Sequence, residues 1–332
     1  MDSFPQAELR RRNKEGSFPR RAGSPPAALF HPGQGSKVIP VSTRFERTIA
    51  KPAEVEGIGF ITGAFVHLRF CPAAPGTGIQ FLRTDIAQSV PIRAHVGNVT
   101  GTQRRTTLGE KPFQVTLVEH VLAALAALRV DNCLVELNAV EPPGLDGSCL
   151  GFIEALKSAG SETQSSRRTI YSVESPVILE SNGATLALHP CEGEGLKLTY
   201  FLDYGNHSPI HRQVHTLKFE LGNFIREVAN CRTFLLEEEA SQLRLLGLGC
   251  RTTTQDLLVF GKHGPIDNEL RFANEPARHK ILDMVGDLAL LGADLRGHVV
   301  AFRSGHPLNV EMARTLAARL GSAAAARYLL AA

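Results

Sequence analysis

His279, Asp283 and Asp287 stand at i, i+4 and i+8 in Pro276-Ala-Arg-His-Lys-Ile-Leu-Asp-Met-Val-Gly-Asp287. In a helix that spacing sets all three on one face, one turn apart. A His and an Asp at i, i+4 can give two ligands to one metal ion from a rigid platform, as the two histidines of HExxH helices do. The same spacing equally suits a solvated face on which Asp283 pairs with Lys280 or His279. A second ionisable pair, Glu119-His120, interrupts the apolar run around Val118 and Val121. Buried charge is costly, so packing alone does not explain it. Two readings stay open. Either His120 completes a His2Asp ligand set with Glu119 as general base, or a partly buried His bonds to backbone while Glu119 reaches toward solvent. Ser304-Gly305-His306-Pro307 holds another imidazole on a turn, because Gly305 permits an unusual backbone angle and Pro307 restricts the residue before it. That arrangement suits a positioned acid or base, and equally a turn histidine without a role. Thr233, in Asn230-Cys-Arg-Thr-Phe234, offers a hydroxyl after a helix. No GxSxG, P-loop or GxGxxG before a helix occurs, which weighs against those three reaction classes.

The elements around these residues are legible in outline. Leu117, Val121, Leu122, Leu125 and Leu128 form one apolar stripe and predict a helix over 117–128. Asp131-Asn132 ends it, Cys133–Leu137 reads as a strand, and Ser148 is placed to cap a helix running to about Ala159. Phe65–Phe70 and Gly78–Arg83 read as strands flanking a Pro/Gly turn. Ser161–Ser166, rich in Ser, Thr and Gln, reads as a linker, after which the pattern restarts. Arg168-Thr169-Ile170 echoes Arg47-Thr48-Ile49, and the segment Leu188–Leu196 echoes Phe70–Ile79. The shared order of these echoes points to a duplicated β-then-α unit. A short helix is expected near Phe224–Asn230, a strong one over about 276–291, a strand over Val299–Arg303 and a last helix over about 308–320. Strands grouped before helices give an α+β class. The expected organisation is a disordered tail over 1–43, a first domain over 44–160, a linker over 161–167 and a second domain over 168–325 with an insert at about 235–271.

Charge is localised. Of 36 Lys+Arg and 33 Asp+Glu in 332 residues, the first 40 hold seven Lys/Arg against three acids, a net +4, which leaves the body at −1. A near-neutral body gives no case for nucleic-acid binding. The tail also carries six prolines and four glycines, too little apolar surface to offset the cost of ordering. A flexible extension or a transient membrane-surface or anionic contact both fit it. No run of about 18 apolar residues and no secretory signal is visible. Six dispersed cysteines without a CxxC pair argue against a cysteine zinc site, and indicate reduced thiols in the cytoplasm.

Taken together, the motifs resemble one family. Val118-Glu119-His120 with its Ala-rich helix, Asp131-Asn132-Cys133, Asp146-Gly147-Ser148, Cys231-Arg232-Thr233-Phe234, Arg278-His279-Lys280 with Asp283 and Asp287, and Ser304-Gly305-His306-Pro307-Leu308-Asn309 occur in that order. The family is the zinc-dependent UDP-3-O-acyl-N-acetylglucosamine deacetylases of lipid A synthesis, and the resemblance spans about Arg47 to Leu320. It implies two similar domains, each a β-sheet with a helix pair, the helices facing one another across the active site. It implies one zinc ion held by His120, His279 and Asp283, and Glu119 as general base. His306 is implied as electrostatic stabiliser and general acid, Asp287 as the residue orienting it, and Thr233 as the donor to the oxyanion. Lys280 is implied to face the nucleotide diphosphate, with Phe234 and Gly305 also at the substrate. The insert after Phe234, through Leu235-Leu236 and Leu243–Leu248, is implied to line the acyl-chain passage.

Three departures from the family pattern stand out. Gly59-Phe60-Ile61-Thr62-Gly63 has Ile61 where a His is frequent, Arg104 and Arg105 replace small or apolar residues, and the basic tail has no counterpart. The expected activity is hydrolysis of the N-acetyl group of UDP-3-O-(3-hydroxyacyl)-N-acetylglucosamine by a cytoplasmic monomer. Its rivals are the same chemistry on another acetylated amino sugar, and a non-catalytic binding protein on the same fold.

Overall fold

Alternation of apolar and polar residues builds the first half. A computed structural model describes residues 36–330, with backbone alone over 321–330. The half opens with β1 (Val38–Ile49), β2 (Ala53–Ile58), β3 (Phe65–Pro72), β4 (Ile79–Arg83) and β5 (Ile92–Arg93). Short strands β6 (Val99–Gly101), β7 (Thr107–Leu108) and β8 (Val115–Thr116) lead to helix α1 (Glu119–Ala127). Strand β9 (Cys133–Leu137) and helix α2 (Leu150–Ala159) complete the half. In β3, Val66, Leu68 and Phe70 point inward, as Cys133, Val135 and Leu137 do in β9. The sheet order is β2-β3-β9-β4-β5, with β9 antiparallel to β3 and parallel to β4. The strands on either side of the 72–78 turn do not pair with one another, because β9 enters between them.

The second half repeats this plan. It runs β10 (Ser161–Val173), β11 (Val177–Ser181), β12 (Ala184–His189), β13 (Leu196–Leu202), β14 (Gln213–Lys218) and α3 (Leu221–Glu227). An insert follows: β15 (Phe234–Leu236), α4 (Glu237–Leu245), β16 (Leu258–Gly261) and β17 (Gly264–Pro265). Helix α5 (Glu275–Ala289), β18 (Asp294–Leu295), β19 (Gly297–Phe302) and α6 (His306–Leu330) close the chain. The sheet order is β11-β12-β19-β13-β14, and β19 is antiparallel to β12 and parallel to β13. The two sheets share one strand order, and their packing with helices bears out the α+β class.

Two expected boundaries are corrected. Residues 161–167, read as a linker, belong to β10, which pairs antiparallel with β1 from Ile49↔Ser161 to Val38↔Val173. Their Ser/Thr/Gln content reflects a largely exposed ladder, not a disordered one. The tail ends earlier than residue 43, since 38–43 are already strand; residues 1–35 lie outside the described residues. Where β1 and β10 meet, Arg44 and Arg168 stand opposite one another. Arg44 makes two 2.7 Å bonds to Asp131 and a 2.6 Å bond to Asp294, and Arg168 reaches Asp294 at 2.6 Å. Asp131 follows α1 and Asp294 follows α5, so this charge quartet ties the two halves together.

Helices α1 and α5 are buried on nearly every side, because each lies against the other as well as against its surroundings. Their backbones touch at Gly286, where a Cβ atom would lie 2.1 Å from the Glu119 carbonyl oxygen. Only glycine allows that approach, and it brings the start of α1 beside the ionisable face of α5.

Candidate active site

The crossing of α1 and α5 sets three ligand atoms together. Donor atoms of His120, His279 and Asp283 all lie within 4.8 Å of one another. Nε2 of His120 and Nε2 of His279 stand 3.5 and 3.3 Å from Asp283 Oδ1, with the two rings edge to face. His279 Nδ1 lies 2.9 Å from the Cys231 carbonyl oxygen, to which it donates, and this turns Nε2 toward Asp283. Burial holds the His120 imidazole below its ordinary range, the neighbouring His279 and His306 adding to this and Asp283 opposing it. Burial would raise the Asp283 carboxyl, but Lys280, bonded to it at 2.8 Å, and His279 overcome this and hold it well below the usual range. Two imidazoles and one carboxylate are a donor set a divalent ion takes.

Beside this trio stand a carboxyl and an imidazole, both displaced from their ordinary ionisation. Glu119 is 2% exposed, and burial pushes its carboxyl up to about 7, with Asp287 and Asp283 adding and His306 opposing. His306 opens α6, and its Nδ1 is 2.8 Å from Asp287 Oδ2. Burial alone would lower this imidazole; Asp287, and then Glu119, raise it to about 9. His306 Nε2 lies 3.9 Å from Glu119 Oε1 and 4.0 Å from Asp283 Oδ2, so all these groups share one space. Asp287 is fully buried, and Asn309 Nδ2 donates to its Oδ2 at 2.9 Å while the Thr106 hydroxyl donates to its Oδ1 at 2.6 Å. The motif around His306 owes its unusual backbone angle to Arg303, with φ +53°, rather than to Gly305. Gly305 instead lines the cavity.

That cavity holds about 450 Å³. Glu119, His120, Thr233, Phe234, Lys280, Asp283, Gly305 and His306 all line it, so every expected substrate residue is there. Among the described residues the Thr233 hydroxyl has no hydrogen-bond partner, while its backbone is fixed by bonds to Gly147 and Leu258. Lys280 sits over the Phe234 ring at 5.4 Å, and its ammonium, which burial alone would lower, is raised by Asp283, Tyr204 and Tyr200. From the insert, Leu235 and Glu239 reach the cavity wall. None of Leu243–Leu248 does; Leu245 and Leu246 are 88% and 74% exposed.

A family model described as LpxC, UDP-3-O-acyl N-acetylglycosamine deacetylase, matches residues 46–318. The chain belongs to this family. A UDP-3-O-acyl-N-acetylglucosamine deacetylase of Citrifermentans bemidjiense is 36% identical over 276 residues, covering 83% of this chain and 90% of that protein. One from Thermosynechococcus vestitus is 36% identical over 278 residues, covering 84% and 96%. The bifunctional enzyme LpxC/FabZ of Chlorobaculum tepidum is 36% identical over 299 residues, which cover 82% of this chain and 64% of the larger protein.

Against the deacetylase pattern, two of the three departures now have places, while the first 35 residues of the basic tail lie outside the described residues. Ile61 is outside the cavity wall; its N–H donates to the buried Glu141 carboxylate at 2.9 Å, as does that of Thr62 at 2.7 Å. Arg104 lines the cavity and pairs with Glu239 at 3.1 Å, joining the first half to the insert. Arg105 turns aside to donate to Thr116 Oγ1 at 2.9 Å. Sequence reasoning missed Thr106 and gave Asn309 no role. Neither sits at a spacing that marks it, and only the fold brings them to Asp287. Among the described residues no helix is long and apolar enough to cross a membrane, and all six cysteines are free.

Proposed function

We propose that this chain hydrolyses the N-acetyl amide of UDP-3-O-(3-hydroxyacyl)-N-acetylglucosamine, with one zinc ion held by His120, His279 and Asp283. Membership of the deacetylase family supports the substrate class. The observation that carries the mechanism is the convergence of the Glu119 carboxyl and the Asp287-bonded His306 imidazole on three potential ligand atoms. A divalent ion bound there supplies Lewis acidity toward water and the acetyl carbonyl. Glu119, half ionised near neutral pH, accepts the proton of the attacking water. The water oxygen bonds to the acetyl carbon, and negative charge gathers on the former carbonyl oxygen. The Thr233 hydroxyl and the cationic His306 stabilise that charge from fixed positions. His306 then gives its Nε2 proton to the sugar nitrogen, the C–N bond breaks and acetate leaves. Asp287 holds the ring for this step and stabilises its positive form. The two groups are pushed apart in pKa by opposite surroundings, which assigns one as base and the other as acid.

Lys280, Phe234 and Gly305 meet the substrate, with Lys280 directed to the diphosphate. The chain acts as a cytoplasmic monomer; its six free cysteines support a reducing compartment. The decisive test is acetate release from the acylated UDP-sugar. Release is expected to stop with a chelator and return with zinc. No release from folded, zinc-loaded protein would discard this substrate.

A further inference from the structure

Two carboxylates from different halves share one neighbour. Thr106 is fully buried at the start of β7, on a loop pinned by Thr107↔Thr116 pairing and by the Arg105–Thr116 bond. Its backbone N–H donates to Glu119 Oε2 at 3.1 Å. Its hydroxyl donates to Asp287 Oδ1 at 2.6 Å across 181 residues of sequence, and the same oxygen stands 3.4 Å from His306 Nδ1.

We propose that Thr106 is a positioning residue that selects which oxygen of each carboxylate faces the reaction. A carboxylate turns about a broad, roughly two-fold terminal torsion, so its side-chain bonds decide which oxygen points where. Asp287 Oδ2 already serves His306 and Asn309. Among the described residues Oδ1 has only the Thr106 hydroxyl. Without that donor a buried anionic oxygen is unsatisfied, and the carboxylate gains by rotating away from His306. Glu119 is set by the same residue, because Thr106 N–H occupies Oε2 and leaves Oε1 toward His306. One residue therefore locks the base and the partner of the acid in register. Its hydroxyl oxygen also stands close to Nδ1, so the cationic ring can keep its Nδ1 proton when Nε2 gives its own to the substrate.

This inference rests on the roles given to Glu119, His306 and Asp287, and its test separates the two. Thr106→Val keeps the shape and the backbone N–H but removes the hydroxyl; Thr106→Ser restores it. Each is made alone and with Asp287→Asn, and kcat, KM, bound zinc and thermal unfolding are measured. Thr106→Val is expected to lower kcat about 10- to 100-fold, the size carried by one hydrogen bond to a charged group. KM and zinc content stay unchanged, and Thr106→Ser recovers to within about 3-fold. On the Asp287→Asn background the Val change adds less than about 3-fold, because the two act as one unit. Normal turnover in Thr106→Val, a full multiplicative loss in the double variant, or a loss shared by Thr106→Ser or accompanied by loss of zinc overturns the positioning role. Normal turnover in Asp287→Asn alone takes down the acid–aspartate pairing, and Thr106 with it.

Discussion

Replacing Glu119 by Gln is expected to inactivate the enzyme and stabilise its metal-free fold. Glu119 ionises at 4.5 in the ordinary case and at about 7 in the fold, where burial opposes its charge. The folded chain thus favours the protonated carboxyl. That contribution is fully present below about 4.5 and is lost as pH rises through 7. At about 1.4 kcal/mol per pH unit, the displacement costs the ionised wild type about 3 kcal/mol above pH 7. Glutamine has no proton to lose, and its carbonyl can still accept the Thr106 N–H that now reaches Oε2. The assay is urea unfolding of chelator-treated wild type and variant at pH 5.5 and pH 8.5. The variant should gain about 2 kcal/mol on the wild type between the two pH values, while turnover of the zinc form falls about 10²- to 10⁴-fold. A stability gap that does not widen with pH would refute the burial argument. A near-normal rate would refute the base.

Other consequences are equally direct. The rate should rise through about pH 7 as Glu119 ionises and fall through about pH 9 as His306 loses its proton, and Asp287→Asn should draw the alkaline limb downward; a profile flat from 6 to 9.5 refutes the pair. His279→Ala should emerge without zinc by elemental analysis, since it supplies one of only three ligands; full occupancy removes it from the set. Gly286→Ala places a methyl 2.1 Å from the Glu119 carbonyl oxygen, so thermal unfolding should show a loss of about 2 kcal/mol or more and turnover should drop as α1 is displaced; an unchanged Tm means that the helices do not meet there.

The chemistry was more legible in the chain than the frame that carries it. Spacing along one helix brought out His279, Asp283 and Asp287, because a helix converts sequence separation directly into a face. β9 and α1 were readable for the same reason, each with its own period. Residues 161–167 were not, since a strand exposed on both faces carries no apolar alternation, and only its partner β1 declares it. The entry of β9 between β3 and β4 is a long-range pairing that no local pattern encodes. Thr106 and Asn309 were hidden likewise: their partner Asp287 is 181 residues from one and 22 from the other, and each reaches it through folding alone.

The contact at Gly286 divides the enzyme into a part that can vary and a part that cannot. Main chain meets main chain there, so the separation of Glu119 from the His279–Asp283 face of α5 is not adjustable by exchanging side chains. The cavity wall contributed by Leu235, Glu239 and Arg104 is different, because side chains set the space there. Exchange of side chains can therefore reshape the wall on the insert's side, while the helix crossing leaves no room for such an exchange.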